Sequence, residues 1–123
     1  MIVGVGVDIV DVARFERRLT TTPRLTARLF AESEQIKDGK PMPLRSLAGR
    51  FAAKEALVKA LGDSGGIPWS WSDLRVVADE FGNPGFELEG TTRQIAERQG
   101  IRAIHLSMSH DSGLAIAYVV TES

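Results

Sequence analysis

Alternating apolar and small or polar positions predict a β-strand at the beginning of the chain. Within residues 2–10 one set of alternate positions is apolar and the other is glycine or aspartate. The two sets are Val3, Val5, Val7 and Ile9, and Gly4, Gly6 and Asp8. A period of two is typical of a strand, and the glycines indicate that something approaches their face closely. Asp11 follows as the expected N-cap of a helix over residues 12–19.

The clearest helix signal covers residues 44–61, which are rich in alanine and leucine and are followed by Gly62 as a stop. A helical wheel predicts one core-facing stripe formed by Leu44, Ala48, Phe51 and Val58. Glu55 falls inside this stripe, where an unpaired carboxylate is costly because it loses its hydration. Lys59 lies one turn further on, so two interpretations stay open: an ion pair at the core edge, or a metal ligand with a basic neighbour.

The remaining segments are shorter. Residues 21–43 are expected to form a mixed connection with a short helix near 32–37. The later elements expected are strands at 74–78 and 86–88, a helix at 91–99, and strands at 101–109 and 114–121 joined by the loop 110–113. This order of elements, with its hairpins, favours an α+β fold, and 123 residues suit a single domain over 1–123.

Composition excludes several classes of protein. Hydrophobic residues make up 43% and charged residues 25%, which is ordinary for a globular domain. No apolar run approaches the roughly 18 residues of a membrane span, and no signal peptide is recognisable. The chain has no cysteine, which excludes disulfides and thiolate metal sites and fits a cytoplasmic protein. A net charge of −1 gives no indication of nucleic-acid binding.

Arginines are concentrated after the first predicted strand. Five of them fall within fifteen residues, with only Glu16 as a counter-charge. They are Arg14, Arg17, Arg18, Arg24 and Arg28. Such a run is either a solvated helix face or a docking patch for an acidic partner.

Asp8 and His110 are polar residues with more than one interpretation. Asp8, near the end of an apolar strand, is either a cap or turn residue or a ligand for a hard metal. Two carboxylates, completed by waters and phosphate oxygens, are how proteins usually hold Mg²⁺. His110 stands where a strand meets a turn. It is either a hydrogen-bond donor to a bound anion or an ordinary turn histidine. His105 is interpreted as structural, and its ring is expected on the opposite face from His110, so a two-histidine metal site is not predicted.

Three segments resemble the holo-[acyl-carrier-protein] synthases. Gly4–Val10 is similar to the family's first strand, Gly49–Ala60 to its central helix, and Leu106–His110 to its closing motif. The resemblance implies the α+β 4′-phosphopantetheinyl transferase fold, with an antiparallel sheet packed on a long central helix, and a homotrimer with active sites between subunits. The activity implied is Mg²⁺-dependent transfer of 4′-phosphopantetheine from coenzyme A to a serine of an apo acyl carrier protein, releasing 3′,5′-ADP for fatty acid biosynthesis.

The resemblance also implies roles for single residues. Asp8 and Glu55 would bind Mg²⁺, and Lys59 would neutralise the pyrophosphate of coenzyme A. Further coenzyme A contacts are implied for Arg50, Gly82, Asn83, Pro84, Ser109 and His110. The basic helix that docks the carrier protein corresponds to Arg14, Arg17 and Arg18. The family often has a basic residue where this chain has Asn83, so one phosphate contact is expected to be missing.

The helical wheel places Arg50 on a different side of the predicted helix from Glu55. With Leu44 at zero, Glu55 lies near about 20°, Lys59 near about 60° and Arg50 near about 240°. The resemblance associates all three with one cofactor. We therefore expect Arg50 to serve the site of a neighbouring chain.

Two other functions remain open at this stage. A different Mg²⁺-dependent phosphotransferase or nucleotide hydrolase could use the same carboxylates without a basic docking helix. A non-catalytic module would use Glu55 and Lys59 only as a buried pair. The sequence does not distinguish a free carrier protein from a carrier domain of a larger synthase.

Overall fold

The computed structural model of the protein describes residues 1–123 and has a three-stranded antiparallel sheet packed on one long helix. The elements are β1 (Ile2–Asp11), α1 (Val12–Thr21), α2 (Arg24–Leu29), β2 (Ile36–Lys37), β3 (Lys40–Pro41), α3 (Leu44–Leu61), β4 (Leu74–Ala78), β5 (Pro84–Leu88), α4 (Gly90–Arg98), β6 (Ala103–Asp111) and β7 (Leu114–Glu122). Short 3₁₀ turns at Glu32–Glu34 and Trp71–Asp73 precede β2 and β4. The predicted α+β class and the bounds of α3 are confirmed.

The sheet has the order β1-β7-β6, so the last strand of the chain lies at its centre. Strand β7 pairs antiparallel with both neighbours, and Leu114 is opposite both Asp11 and Asp111. One face of the sheet packs on α3, where the alternate residues Ala115, Ala117 and Val119 are fully buried. A hydrophobic core of 21 buried residues lies between these layers and the helices around them.

Two glycines of β1 permit this close packing. A Cβ added to Gly4 would lie 2.1 Å from the carbonyl oxygen of Ala60, and one added to Gly6 would lie 1.9 Å from that of Ala56. These neighbours are backbone atoms and cannot rotate away. The predicted close approach to the glycine face is therefore confirmed, and the approaching element is α3. The contact also brings Asp8, two residues beyond Gly6, onto the helix.

We expect Gly6→Ala to destabilise the protein by roughly 1–3 kcal/mol, because α3 has to move away from the sheet. Urea denaturation measures the loss. The matched control is Gly85→Ala in β5, where an added Cβ meets nothing within 4 Å. Equal losses at the two glycines would contradict the close-packing explanation.

The predicted core stripe of α3 is wrong. Leu44 is 40% exposed, Phe51 and Val58 are half-buried, and only Ala48 of the four is fully buried. The buried positions spread around the helix, because the sheet, α1 and β4 all pack against it. A single amphipathic stripe is the pattern of a helix at the surface and does not describe one that is enclosed on several sides.

The connection 21–43 also differs from its prediction. It contains α2 and the β2–β3 hairpin, neither of which was predicted, and the expected helix near 32–37 is only the 3₁₀ turn. The loop predicted at 110–113 is a two-residue turn, Ser112–Gly113, with φ angles of 50° and 75°. His110 therefore remains inside β6. No helix combines the length and apolar character needed to cross a membrane.

Candidate active site

Asp8, Glu55 and Lys59 meet where β1 crosses α3. The ammonium group of Lys59 donates to Asp8 Oδ1 at 3.0 Å and to the carbonyl oxygen of Val7 at 3.0 Å. The side chain of Asp8 is 10% exposed, and its Oδ2 is buried without a hydrogen-bond partner. Because Lys59 pairs with Asp8, the interpretation of Glu55 and Lys59 as a simple ion pair is not supported.

The two carboxyl groups affect each other strongly. Burial, followed by the neighbouring carboxylate of Asp8, raises the pKa of Glu55 to about 7, while Lys59 and Arg18 oppose this rise. Because the pKa of Glu55 is raised although Lys59 and Arg18 lie nearby, these two side chains do not supply enough positive charge to the pair of carboxylates. A cation bound between them would supply it.

The donor set fits Mg²⁺. No three His, Cys, Asp or Glu side chains cluster anywhere in the chain, so a metal here has two protein carboxylates to use. Mg²⁺ usually takes one or two carboxylates and completes its shell with water and phosphate oxygens, whereas zinc sites use three or four protein ligands. The unpartnered Oδ2 of Asp8 is a suitable ligand atom.

Helix α1 places arginines beside Glu55. Asp11 caps this helix, and its Oδ1 accepts the backbone N–H of Arg14 at 3.0 Å, as predicted. Arg14 and Arg18, one turn apart, line a cavity of about 340 Å³ together with Glu55. Arg17 does not line it, but shares an outer basic surface with Arg14, Arg18, Thr21 and Thr22.

Arg50 and His110 line a different cavity, of about 400 Å³, together with Gly82 and Pro84. His110 packs against α3 at Gly49, where an added Cβ would lie 2.9 Å from His110 Nε2. Glu55 does not line this cavity. Within one chain, the structure thus separates Arg50 from Glu55, as the helical wheel indicates.

Ser109 and Asn83, which are also predicted to contact coenzyme A, do not line this cavity. Successive side chains of a strand alternate, so Ser109 is on the opposite face of β6 from His110. The side chain of Asn83 donates to Asp79 Oδ2 at 3.0 Å, and its backbone N–H donates to Asp79 Oδ1 at 2.8 Å. Asn83 therefore shapes the β4–β5 turn. Asp79 was missed, although an aspartate that starts a glycine-containing turn is a usual signal for such bonds.

The sequence reasoning also missed a fully buried ion pair. Lys54 and Glu34 are 0% and 1% exposed, with 2.6 Å between Lys54 Nζ and Glu34 Oε1. Lys54 also donates to the carbonyl oxygens of Leu29 and Trp71. The carboxylate accepts the backbone N–H groups of Ala31 and Val76. The only sequence signal was a lysine inside an alanine-rich helix.

The outer face of the sheet is apolar and uncovered in a single chain. Its exposed side chains, from 39% to 60% accessible in β1, are Val3, Val5, Val7 and Ile9, with Tyr118 of β7 beside them. His105 lies on an edge strand, 61% exposed, with its Nε2 3.1 Å from Glu122 Oε1. The prediction that His105 lies within a strand is confirmed.

The fold and the residues at this site define a class of transferase. Residues 4–119 match the model of the 4′-phosphopantetheinyl transferase superfamily. The holo-[acyl-carrier-protein] synthase of Clavibacter michiganensis subsp. michiganensis is 58% identical, covering 99% of this chain and 97% of that protein. This chain belongs to the holo-[acyl-carrier-protein] synthase family of enzymes, which confirms the predicted resemblance.

Solved structures agree with this assignment. The holo-[acyl-carrier-protein] synthase of Neisseria meningitidis matches with a TM-score of 0.87 and 34% identity, covering 100% of both chains. The Helicobacter pylori enzyme, solved in complex with coenzyme A, matches with a TM-score of 0.78 and 32% identity, covering 96% of this chain and 99% of that one.

Proposed function

We propose that this enzyme transfers 4′-phosphopantetheine from coenzyme A to a serine of an apo acyl carrier protein or carrier domain. Mg²⁺ would be required, and 3′,5′-ADP would be released. The observation that carries this proposal is the meeting of Asp8, Glu55 and Lys59 in a chain of this family. The coenzyme A complex of the Helicobacter pylori relative supports the substrate.

The residues suit phosphoryl transfer. The serine oxygen forms a bond to the β-phosphorus, and the bond from that phosphorus to the bridging oxygen breaks, so that 3′,5′-ADP leaves with the electron pair. Mg²⁺, held by Asp8 and Glu55, would neutralise charge on the pyrophosphate. Lys59, whose side chain is 57% exposed, can donate to a phosphate oxygen from beside Asp8. The serine proton passes to a base, for which Glu55 and water are both candidates.

One assay tests the function against its rivals. Apo carrier protein incubated with the enzyme, coenzyme A and Mg²⁺ should gain roughly 340 Da, the mass of the phosphopantetheine group. A nucleotide hydrolase would consume coenzyme A and leave the carrier unmodified. A non-catalytic module would do neither. Either of the last two results would overturn the proposal.

The active site is proposed to be shared between subunits of a homotrimer. Arg50 and Glu55 line separate cavities within a chain, and the uncovered apolar face of the sheet offers a surface for a second copy. Inactive Glu55→Ala and Arg50→Ala variants, mixed after dissociation, should recover activity, because about one quarter of random heterologous interfaces pair both native residues. No recovery after demonstrated subunit exchange would rule this arrangement out.

Arg17 is the best single residue for testing carrier docking. It belongs to the exposed basic surface but does not line the cavity of Glu55, so its reversal leaves the metal site untouched. We expect Arg17→Glu to raise KM for an acidic carrier roughly 3- to 10-fold at low salt, with less effect at high salt. The control is Arg98→Glu on α4, which is also exposed. Equal KM changes in both variants would contradict a local docking patch.

A further inference from the structure

The cavity of Arg50 is enclosed by elements that no common sheet holds together. Its lining residues come from the β2–β3 hairpin, α3, the β4–β5 hairpin and β6. Both hairpins are separate two-stranded sheets, so no strand pairing fixes them relative to α3 or to the three-stranded sheet. Other contacts therefore have to set the position of these walls around the Arg50 side chain.

A single buried side chain, that of Glu34, connects three of these walls. Glu34 ends the 3₁₀ turn that leads into β2, and it is 1% exposed. Its Oε1 accepts a hydrogen bond from Lys54 Nζ of α3 at 2.6 Å, and its Oε2 accepts one from the backbone N–H of Val76 in β4 at 3.0 Å. Because β5 is the one strand neighbour of β4, the carboxylate takes the place of a second neighbour at Val76.

Glu34 also contacts Arg50 directly. Arg50 forms no ion pair within the chain, and its one side-chain hydrogen bond is donated by Nη1 to the carbonyl oxygen of Glu34 at 3.3 Å. Burial lowers the pKa of Arg50, and the negative charge of Glu34 opposes this fall. The carboxylate thus anchors the turn, and the carbonyl oxygen of the same residue orients the guanidinium group.

We propose that Glu34 is a positioning residue, which holds Arg50 and the walls around it in the geometry that binds coenzyme A. This inference rests on the proposed function. Glu34 does not line the cavity, so it acts through Arg50 and makes no contact with the ligand itself. An arginine side chain has many rotamers, and holding it in place before the ligand arrives lowers the entropy lost on binding.

Glu34→Gln tests the proposal because both carboxylate oxygens face only donors. Oε1 accepts from Ala31 and Lys54, and Oε2 accepts from Val76. A glutamine has one carbonyl oxygen and one NH₂ group, so in either orientation the NH₂ group faces a donor and at least one of these bonds is lost. The substitution also removes a negative charge near Arg50, which by itself would strengthen the binding of an anion.

Isothermal titration calorimetry of the assembled enzyme measures the affinity for coenzyme A. We expect Glu34→Gln to weaken binding about 3- to 10-fold, which is opposite in direction to the electrostatic effect. In an Arg50→Ala background the same substitution should change the affinity less than about twofold, because the residue through which Glu34 acts is absent. Glu34→Gln combined with Lys54→Met leaves neither member of the buried ion pair charged, so this variant is expected to fold and to show the same weakening.

The matched control is Thr92→Val, which removes buried hydrogen bonds away from the cavity. Thr92 is 1% exposed, and its hydroxyl group lies 3.0 Å from the carbonyl oxygen of Asp73 and 2.7 Å from that of Glu89. We expect this variant to lose stability in urea and to bind coenzyme A as the wild type does. An equal loss of affinity in Thr92→Val would reduce the effect of Glu34 to general destabilisation and overturn the proposal.

Two other results would also overturn it. Unchanged or tighter binding by both Glu34 variants would show that Arg50 needs no support from this turn. A full additional loss in the Arg50→Ala background would show that Glu34 does not act through Arg50. A wild type that neither binds coenzyme A nor modifies the carrier would instead overturn the proposed function, and the inference with it.

Discussion

Asp8→Ala and Glu55→Ala are each expected to lower the rate of phosphopantetheine transfer by at least about 10²- to 10³-fold while the fold survives. Each substitution removes one of the two carboxylates available to Mg²⁺, and no other acidic side chain stands close enough to replace it. Transfer is measured across a Mg²⁺ titration, with circular dichroism to check the fold. The control is Glu97→Ala, which removes an exposed carboxylate of α4. Full activity of either variant at limiting Mg²⁺ would refute the assignment.

The same carboxyl pair should make stability depend on pH when no metal is bound. The pKa of Glu55 is about 7 in the folded chain against 4.5 ordinarily, so the folded protein keeps a proton that the unfolded chain has lost between these values. Stability should therefore fall as the pH rises through that window. Glu55→Gln removes the carboxyl group that causes this loss of stability. In EDTA, the melting temperature of the variant should therefore exceed that of the wild type near about pH 8, and the difference between them should shrink near about pH 5.

Mg²⁺ provides the decisive arm of that experiment. A cation that binds only the folded state stabilises it, so Mg²⁺ should raise the melting temperature of the wild type and have little effect on Glu55→Gln. A wild type whose metal-free stability does not change between the two pH values would contradict the electrostatic description of the pair.

Lys54→Met is expected to produce the largest loss of stability in the chain, about 3–5 kcal/mol, because it leaves the charge of Glu34 buried without its partner. The same substitution in a Glu34→Gln background should cost less, since the remaining side chain is neutral. Urea denaturation of the four proteins gives the coupling between the two residues as a double-mutant cycle.

The exposed pair of Arg93 and Glu97 on α4 is the matched control. Their side chains are 70% and 65% exposed, with 3.3 Å between Arg93 Nε and Glu97 Oε1. Arg93→Met should cost less than about 1 kcal/mol, because water screens an exposed pair. A comparable loss at Lys54 would show that burial of the ion pair does not govern its contribution.

Local patterns in the sequence determined a large part of this protein. The alternation in residues 2–10 gave the strand, and Gly4 and Gly6 indicated that its second face is closely approached. Asp11 marked the start of α1, and the alanine- and leucine-rich run with Gly62 gave both ends of α3. These features depend on neighbours within a few residues, so they can be read from the sequence alone.

Only the tertiary structure decided which charged groups meet. Lys59 pairs with Asp8, 51 positions away, and Lys54 pairs with Glu34, 20 positions away. Such contacts depend on how β1 and the 3₁₀ turn Glu32–Glu34 dock on α3. The spacing of apolar residues along the sequence does not encode this docking. The core stripe predicted for α3 failed for the same reason, since a helix enclosed on several sides has no single apolar face. The packing around α3 also separates the cavity of Arg50 from that of Glu55.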